Sequence, residues 1–361
     1  MNKKLIAVAI AGACAAPVAM AQTAGPVTLY GRVFEEIVSV DAKAGGDNPE
    51  IPRRTRIDDQ SSLLGVRGTE DLGGGLKAFF QLETAFKADQ NDTAFATRNS
   101  AIGLQGGWGS FLIGRWDMPY KVSTYPIDAF GDLTMSAISG IGHDQGNFDR
   151  RDQNVVQYWS PKFGPIAFKV AATANEGKAC TTSATTGDTS CNNPHDLGAN
   201  VTYTSGPLYA FLAYEDHKDP SAAYRKERGY SGGASFHFGP IKLGGEYERI
   251  KRDRSDSALD SPEDRKEWLA SVVWTIGANE LIYQHQDSKG ASTAGTDNSA
   301  DCKSDTIAYK YIFSKRTFFI AQYMRTDNSD LSTCSFGTTA TFPVKPGNDV
   351  RAAGIGLQHV F

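Results

Sequence analysis

The run DVRAAGIGLQHVF, residues 349–361, decides how the rest of the chain is read. Every second residue from the end gives Phe361, His359, Leu357, Ile355 and Ala353, a mostly bulky face. The intervening set is Val360, Gln358, Gly356, Gly354 and Ala352, mostly small or polar. Such alternation marks a strand, whose side chains point to opposite faces in turn. Chain ends usually fray into water, so a strand that stops on a bare aromatic calls for another explanation. A closed barrel in lipid supplies one. Its last strand must pair with its first, or an edge of unpaired backbone faces hydrocarbon. Phe361, His359 and Leu357 are therefore expected to belong to the closing stave.

The remaining sequence agrees with this. Leu76, Ala78, Phe80, Leu82 and Thr84 alternate with Lys77, Phe79, Gln81, Glu83 and Ala85. In a membrane barrel the first face meets lipid, and the polar residues Lys77, Gln81, Glu83 and Lys87 line the lumen. Sixteen such segments are countable: 26–40, 59–69, 76–87, 96–106, 109–116, 152–160, 165–174, 197–205, 208–217, 229–238, 241–251, 265–275, 280–287, 305–313, 317–326 and 349–361. Many approach the 9–11 residues a tilted strand needs to cross a bilayer. Seven connections are tight turns of Gly, Pro, Asn and Ser; eight are long, and the two kinds alternate. A soluble sandwich has no reason to sort loop length by end, whereas an outer-membrane barrel does. The expected fold is all-β, a 16-stranded antiparallel transmembrane barrel, with residues 22–361 as its one domain.

The front of the chain has a different character. Lys3 and Lys4 precede the apolar run Leu5 to Ala13, and Ala19-Met20-Ala21 follows. This reads as a secretory signal over residues 1–21, cut after Ala21. A lipoprotein site at Cys14 fits less well, because Ala11 stands three residues before it and apolar sequence continues past it. Loss of Lys3 and Lys4 with the signal moves the net charge from −4 to −6. No basic tract points to nucleic acid. Four cysteines would remain in an exported chain, which suggests two disulfides. Cys180 and Cys191 bracket one long loop, and Cys302 and Cys334 flank one hairpin on the long-loop side. The expected pairs are Cys180–Cys191 and Cys302–Cys334.

Several motifs now carry a resemblance. They are Thr28-Leu29-Tyr30-Gly31, the hairpin from Leu64 to Ala78 with Arg67-Gly68-Thr69-Glu70-Asp71-Leu72-Gly73-Gly74-Gly75, and Ile113-Gly114-Arg115. Tyr158-Trp159-Ser160-Pro161-Lys162-Phe163-Gly164, Ser314-Lys315-Arg316-Thr317 and the terminal Gly356 to Phe361 complete the set. Over nearly the whole mature chain the sequence resembles the general porins of β-proteobacteria, the Neisseria and Burkholderia type. The resemblance implies a homotrimer in the outer membrane and passive diffusion of ions and small hydrophilic solutes. The disulfide pairs are not part of the family pattern.

The third long loop, residues 117–151, is the longest and carries Tyr120, Tyr125, Ile127, Phe130, Leu133, Met135, Ile138 and Ile141. Large apolar groups gain by packing on a barrel wall, not by facing water. The resemblance likewise implies that this loop forms the pore constriction. It matches Arg115 and Arg151 to wall arginines there, with Asp117, Asp128 and Asp132 as opposing acids. Leu63 departs from the pattern at a place where related porins often carry a third arginine. Arg53, Arg54 and Arg56 near the first long loop either bind lipopolysaccharide phosphate or balance Asp58 and Asp59. No cofactor or metal site is expected. Gly229-Tyr230-Ser231-Gly232-Gly233 has the letters of a hydrolase nucleophile elbow, but its residues alternate as a strand. A substrate-specific channel with a saturable binding site is the alternative to a general pore.

Overall fold

The period-2 alternation carries through a computed structural model describing residues 27–87, 89, 95–131, 141–142, 147–176, 179–182, 189–221, 224–254, 263–290, 300–336 and 342–361. The signal segment and Asp132 lie outside the described residues. In chain order the strands are β1 (Thr28–Lys43), β2 (Ile51–Asp59), β3 (Leu63–Gly73), β4 (Leu76–Ala85), β5 (Ser100–Gly106), β6 (Gly109–Asp117), β7 (Arg151–Trp159) and β8 (Ile166–Thr173). A short hairpin follows, β9 (Ala179–Thr182) and β10 (Thr189–Asn192). Then come β11 (His195–Ser205), β12 (Leu208–Lys218), β13 (Tyr224–Phe238), β14 (Ile241–Arg254), β15 (Glu263–Ile276), β16 (Asn279–Lys289), β17 (Cys302–Ile312), β18 (Thr317–Asn328) and β19 (Asp349–Val360). A short helix, α1 (Pro119–Thr124), follows β6.

All neighbours around the ring are antiparallel, and β19 closes onto β1 from Arg32↔Val360 to Lys43↔Asp349. Phe361 completes the seam. It exchanges two backbone hydrogen bonds with Gly31, at 3.1 and 3.0 Å. Gly31 has no side chain because the Phe361 ring occupies that space: a Cβ there would stand 2.5 Å from Cζ.

The wall has sixteen staves, as expected, but the second is built differently. β2 and β3 together form it. β3 pairs with the start of β1, and β2 pairs with the upper half, Glu35↔Asp59 to Ala42↔Ile51. The sequence reading placed 41–58 in a loop, because the charges Arg53, Arg54, Arg56, Asp58 and Asp59 hide the alternation. A break at Gln60–Ser62 separates the two pieces, with Ser61 at φ 61°. Hydrogen bonds span the break. Ser62 Oγ accepts from Phe34 N, Asp59 accepts from Ser62 N, and Arg32 donates to Ser61 O. Arg53 and Arg56 pair with Asp41 and Asp58, which favours the charge-balancing role for that cluster.

Polarity is reversed relative to a soluble protein. Leu29, Ile37, Leu82, Ile113, Leu212, Tyr247, Ile307, Ile355 and Leu357 are exposed on the outer face. Glu36, Glu215, Glu246, Glu248, Gln284 and Gln322 are buried on the inner one. An apolar belt outside and a polar interior fit a barrel in lipid. Gln81 and Glu83 point inward from β4, but Lys87 lies past the end of that strand and is not part of its wall. A disulfide joins Cys302 to Cys334. Cys180 is disulfide-bonded and opposes Cys191 in the β9–β10 register, although the Cys191 side chain is outside the described residues.

Two measurements follow from this architecture. Deleting Phe361, or replacing Gly31 with Val, should reduce the heat-modifiable folded fraction on gels several-fold, because each removes part of the seam. A non-reduced peptide map should recover a Cys180–Cys191 link beside Cys302–Cys334; free thiols or crossed pairs would refute it.

Candidate pore constriction

The loop between β6 and β7 enters the barrel immediately after Asp117. Pro119 starts α1, where a missing backbone donor is tolerated. Met118 packs on Val155 and Ala171 of the wall. Asn200 on β11 donates to Pro119 O and Ser123 Oγ at 2.8 Å, and Tyr209 on β12 donates to Ser123 O. Tyr120 and Ile127 join Phe148, Phe211, Ala213, Ile250 and Leu269 in one buried cluster. Ser271 on β15 donates to Ile127 O, and Ala129 N donates to Gln284 on β16. Phe130 then seats among Phe34, Ile282, Ala308 and Ile320. The loop thus runs along the inner wall from β8 round to β1.

Apolar burial holds it there. Tyr120, Ile127, Phe130 and Phe148 are almost fully buried, and each such side chain is worth about 2 kcal/mol. The wall leaves room for them with glycine. A Cβ on Gly229 would stand 2.6 Å from the Phe148 ring, and one on Gly244 would meet Ile127 O at 2.8 Å. The Tyr120 hydroxyl donates to Glu248 at 2.5 Å, and burial together with that carboxylate raises its pKa well above the usual value. On the return leg Phe148 stacks on His217, whose two ring nitrogens face Glu215 and Glu227. Ile141 packs against the Cys302–Cys334 disulfide.

The loop's two ends meet in a charged cluster. Arg151 binds Asp117 at 2.9 Å and donates to Asn99 at 2.8 Å; Asn99 in turn donates to Asp117 at 2.7 Å. Arg98 stands 4.0 Å from Glu83, which also accepts from Tyr30. Burial, then the neighbouring Arg151, lowers the Arg98 pKa from its ordinary value. Arg115 lies at a bulge between Gly114 and Trp116, and its charged neighbours are Arg151, Asp152 and Asp117.

A sequence model of the Gram-negative porin matches residues 7–331 of this chain. The chain belongs to the Gram-negative porin family. It is 38% identical over 383 residues to the major outer membrane protein P.IB of Neisseria meningitidis serogroup B, covering all of both chains. It is 29% identical over 371 residues to outer membrane porin protein 32 of Delftia acidovorans, again over all of both. The solved anion-selective porin from Comamonas acidovorans matches with TM-score 0.75 at 25% identity, covering 93% of this chain and 99% of that one. OmpT of Vibrio cholerae, solved in a trimer form, shares the fold with TM-score 0.70 at 16% identity, covering 94% and 100%.

The porin is an outer-membrane channel whose water-filled lumen passes ions and small hydrophilic solutes passively. Members of its family are channels rather than enzymes. Ser231 sits within β13 and donates to Glu246 at 2.5 Å, with no strand-turn-helix context for an elbow. Two expectations about charge need correction. Asp117 does not oppose the arginines across a gap; it is the counterion of Arg151 on the same side. Asp128 is buried at the loop–wall contact and accepts from Phe130 N at 2.9 Å. Sequence reasoning also passed over Arg98, which falls within the expected strand 96–106 but stands just before β5. Its signal was an arginine at a strand start, on the hairpin facing Glu83.

Replacing Gly229 with Leu should push Phe148 off the wall and drive the loop toward the pore axis. Phe130→Ala should cost roughly 3 kcal/mol of loop anchoring. Single-channel recordings should then show smaller or flickering conductance steps for both variants, against steady steps for the parent.

Proposed function

We propose that three copies of this chain assemble into a general diffusion pore with a modest preference for anions, selected at a constriction formed by Arg98, Arg115 and Arg151 opposite the tucked loop. The observation that carries the reading is the gathering of these three arginines at the root of the loop that crosses the lumen. Selectivity in such channels follows the charges at the narrowest part. The preference is modest because Asp117, Glu83 and Asp152 lie among the arginines. Leu63 adds no charge on β3. The anion-selective porin from Comamonas acidovorans and the trimer form of the Vibrio cholerae protein support the sign and the assembly. A signal peptide cut after Ala21 completes the proposal, and mass measurement of the mature chain should find Gln22 first.

In a water-filled pore a charge a few ångströms from a passing ion is worth about 1 kcal/mol. Arg98→Ala with Arg151→Ala should therefore lower the anion-to-cation permeability ratio several-fold. The reversal potential across a potassium chloride gradient reads this directly. An unchanged potential and conductance would remove both residues from the constriction. Conductance that saturates with one solute rather than rising with salt would favour a substrate-specific channel.

A further inference from the structure

The last long loop, between β18 and β19, does not simply stand over the rim. Its Phe336 and Phe342 join Val38 and Val40 of β1, Ile51 of β2, Met324 of β18 and Val350 of β19 in one buried cluster. Those wall positions face the lumen, because Ile37 and Ile355, out of phase with them, are exposed on the outer face. The described part of the loop therefore packs inside the barrel mouth, where its rings leave water for the wall. Arg56, opposite Val38 in the β1–β2 register, lies over the Phe336 ring, 5.8 Å from its centre.

Both legs of this loop are fastened. Asn328, the last residue of β18, donates through Nδ2 to Cys334 O at 2.9 Å and to Asn348 O at 2.7 Å, and its Oδ1 accepts from Cys334 N at 2.9 Å. Asn348 reaches across the seam, donating to Lys43 O at 2.9 Å and to Pro49 O at 3.2 Å. The Cys302–Cys334 disulfide adds a covalent tie to the start of β17, over a sequence separation of 32. Cys302 belongs to the buried, inward set of that strand with Ser304, Thr306 and Ala308. A link of this span removes many alternative loop arrangements. The loop is thus a strut, fixed to β17 on one side and to the β1–β2 connection on the other.

The loop between β6 and β7 rests on this strut. Its Ile141 is buried against Cys302 and Cys334, which are themselves 1% and 0% exposed. Sulfur is soft and polarizable, so it receives an apolar side chain as a core residue would. The same loop is seated lower on the same wall, where Phe130 packs with Phe34 and Ile320. Phe34 stands four residues from Val38 on β1, and Ile320 four from Met324 on β18, so the two loops occupy successive levels of shared staves. We propose that the Cys302–Cys334 disulfide and Ile141 are positioning residues for passage through the pore. The disulfide-tied strut buttresses the tucked loop from the outer side and keeps the opening at one width. The inference rests on the reading that the tucked loop narrows the lumen.

The test records single channels of the full chain in planar bilayers in potassium chloride. Cys302→Ser with Cys334→Ser removes the link and its apolar surface. Ile141→Ala keeps the link and removes only the group that rests on it. Each should raise open-channel current noise several-fold over the parent. The triple variant should be no noisier than the cysteine pair, because both changes act through one contact. Ile141→Leu should restore the parent trace. The heat-modifiable folded fraction and the reversal potential should stay at parent values, since the ring and the arginines are untouched; a damaged barrel would move both. Should the serine pair fail to fold, Ile141→Ala and Ile141→Leu decide alone. Parent-like noise in Ile141→Ala, or noise that adds in the triple variant, overturns the inference. If Phe130→Ala alone disturbs the steps, only the buttress is lost; if Phe130→Ala is also silent, the narrowing role of the loop falls with it.

Discussion

Everything in this structure depends on a ring of backbone hydrogen bonds with no open edge. In hydrocarbon each unpaired N–H or C=O costs several kcal/mol. The β1–β19 seam alone aligns twelve residue pairs, so an open barrel would be penalised by tens of kcal/mol. No side-chain interaction in the molecule approaches that scale. The Gly31–Phe361 contact matters for this reason: it carries the pairing to the last residue. The kink at Gln60–Ser62 is tolerated for the same reason, because Ser62, Asp59 and Arg32 take up the backbone groups that the ladder drops there.

Closure leaves the lumen free to do something else. Lipid offers no hydrophobic drive between staves, so the apolar residues of the wall face outward and the interior is polar. The loop crossing the lumen then has little apolar surface to settle on. The structure supplies that surface locally, in patches such as Phe211, Ala213, Ile250 and Leu269 under Tyr120 and Ile127. Between the patches, side chains from the wall hold the loop's backbone: Asn200, Tyr209, Ser271 and Gln284 each bond to a loop main-chain group. Glycines at 229, 233 and 244 set the depth to which the loop sinks. The position of the loop is thus determined by wall residues far from it in sequence.

What could be read from the letters follows the strength of each physical signal. Strands facing lipid on one side must alternate, so staves such as Leu76–Ala85 and Asp349–Val360 were legible, as were the tight turns with glycine at positive φ. β2 was not, because Arg53, Arg54, Arg56, Asp58 and Asp59 crowd it and break the apolar alternation that marks the other staves. The inward fold of the third loop showed in its apolar content. The partner of Arg151 was also within reach: residues at the two ends of a loop joining antiparallel strands face each other, and Asp117 and Arg151 are those ends. Reading Asp117 as an opposing pole overlooked that register. Arg98 carried only the signal of an arginine at a strand start; its proximity to Arg151 comes from neighbouring staves.

The pairing of Asp117 with Arg151 bears on how the proposed constriction would favour anions. A transverse field needs opposite charges on opposite walls. Here the arginines and their carboxylates share one wall, with Asn99 bridging Arg151 and Asp117. Such a cluster has a small net charge, and Asn99 and Asp117 hold the Arg151 guanidinium in a fixed orientation. A passing anion can approach the donors that remain unfilled without waiting for a side chain to swing. Its counterion need not leave, so binding stays weak. Weak, preorganised attraction is what a diffusion channel requires, since an ion held tightly at the narrowest point would block the flow it is meant to permit.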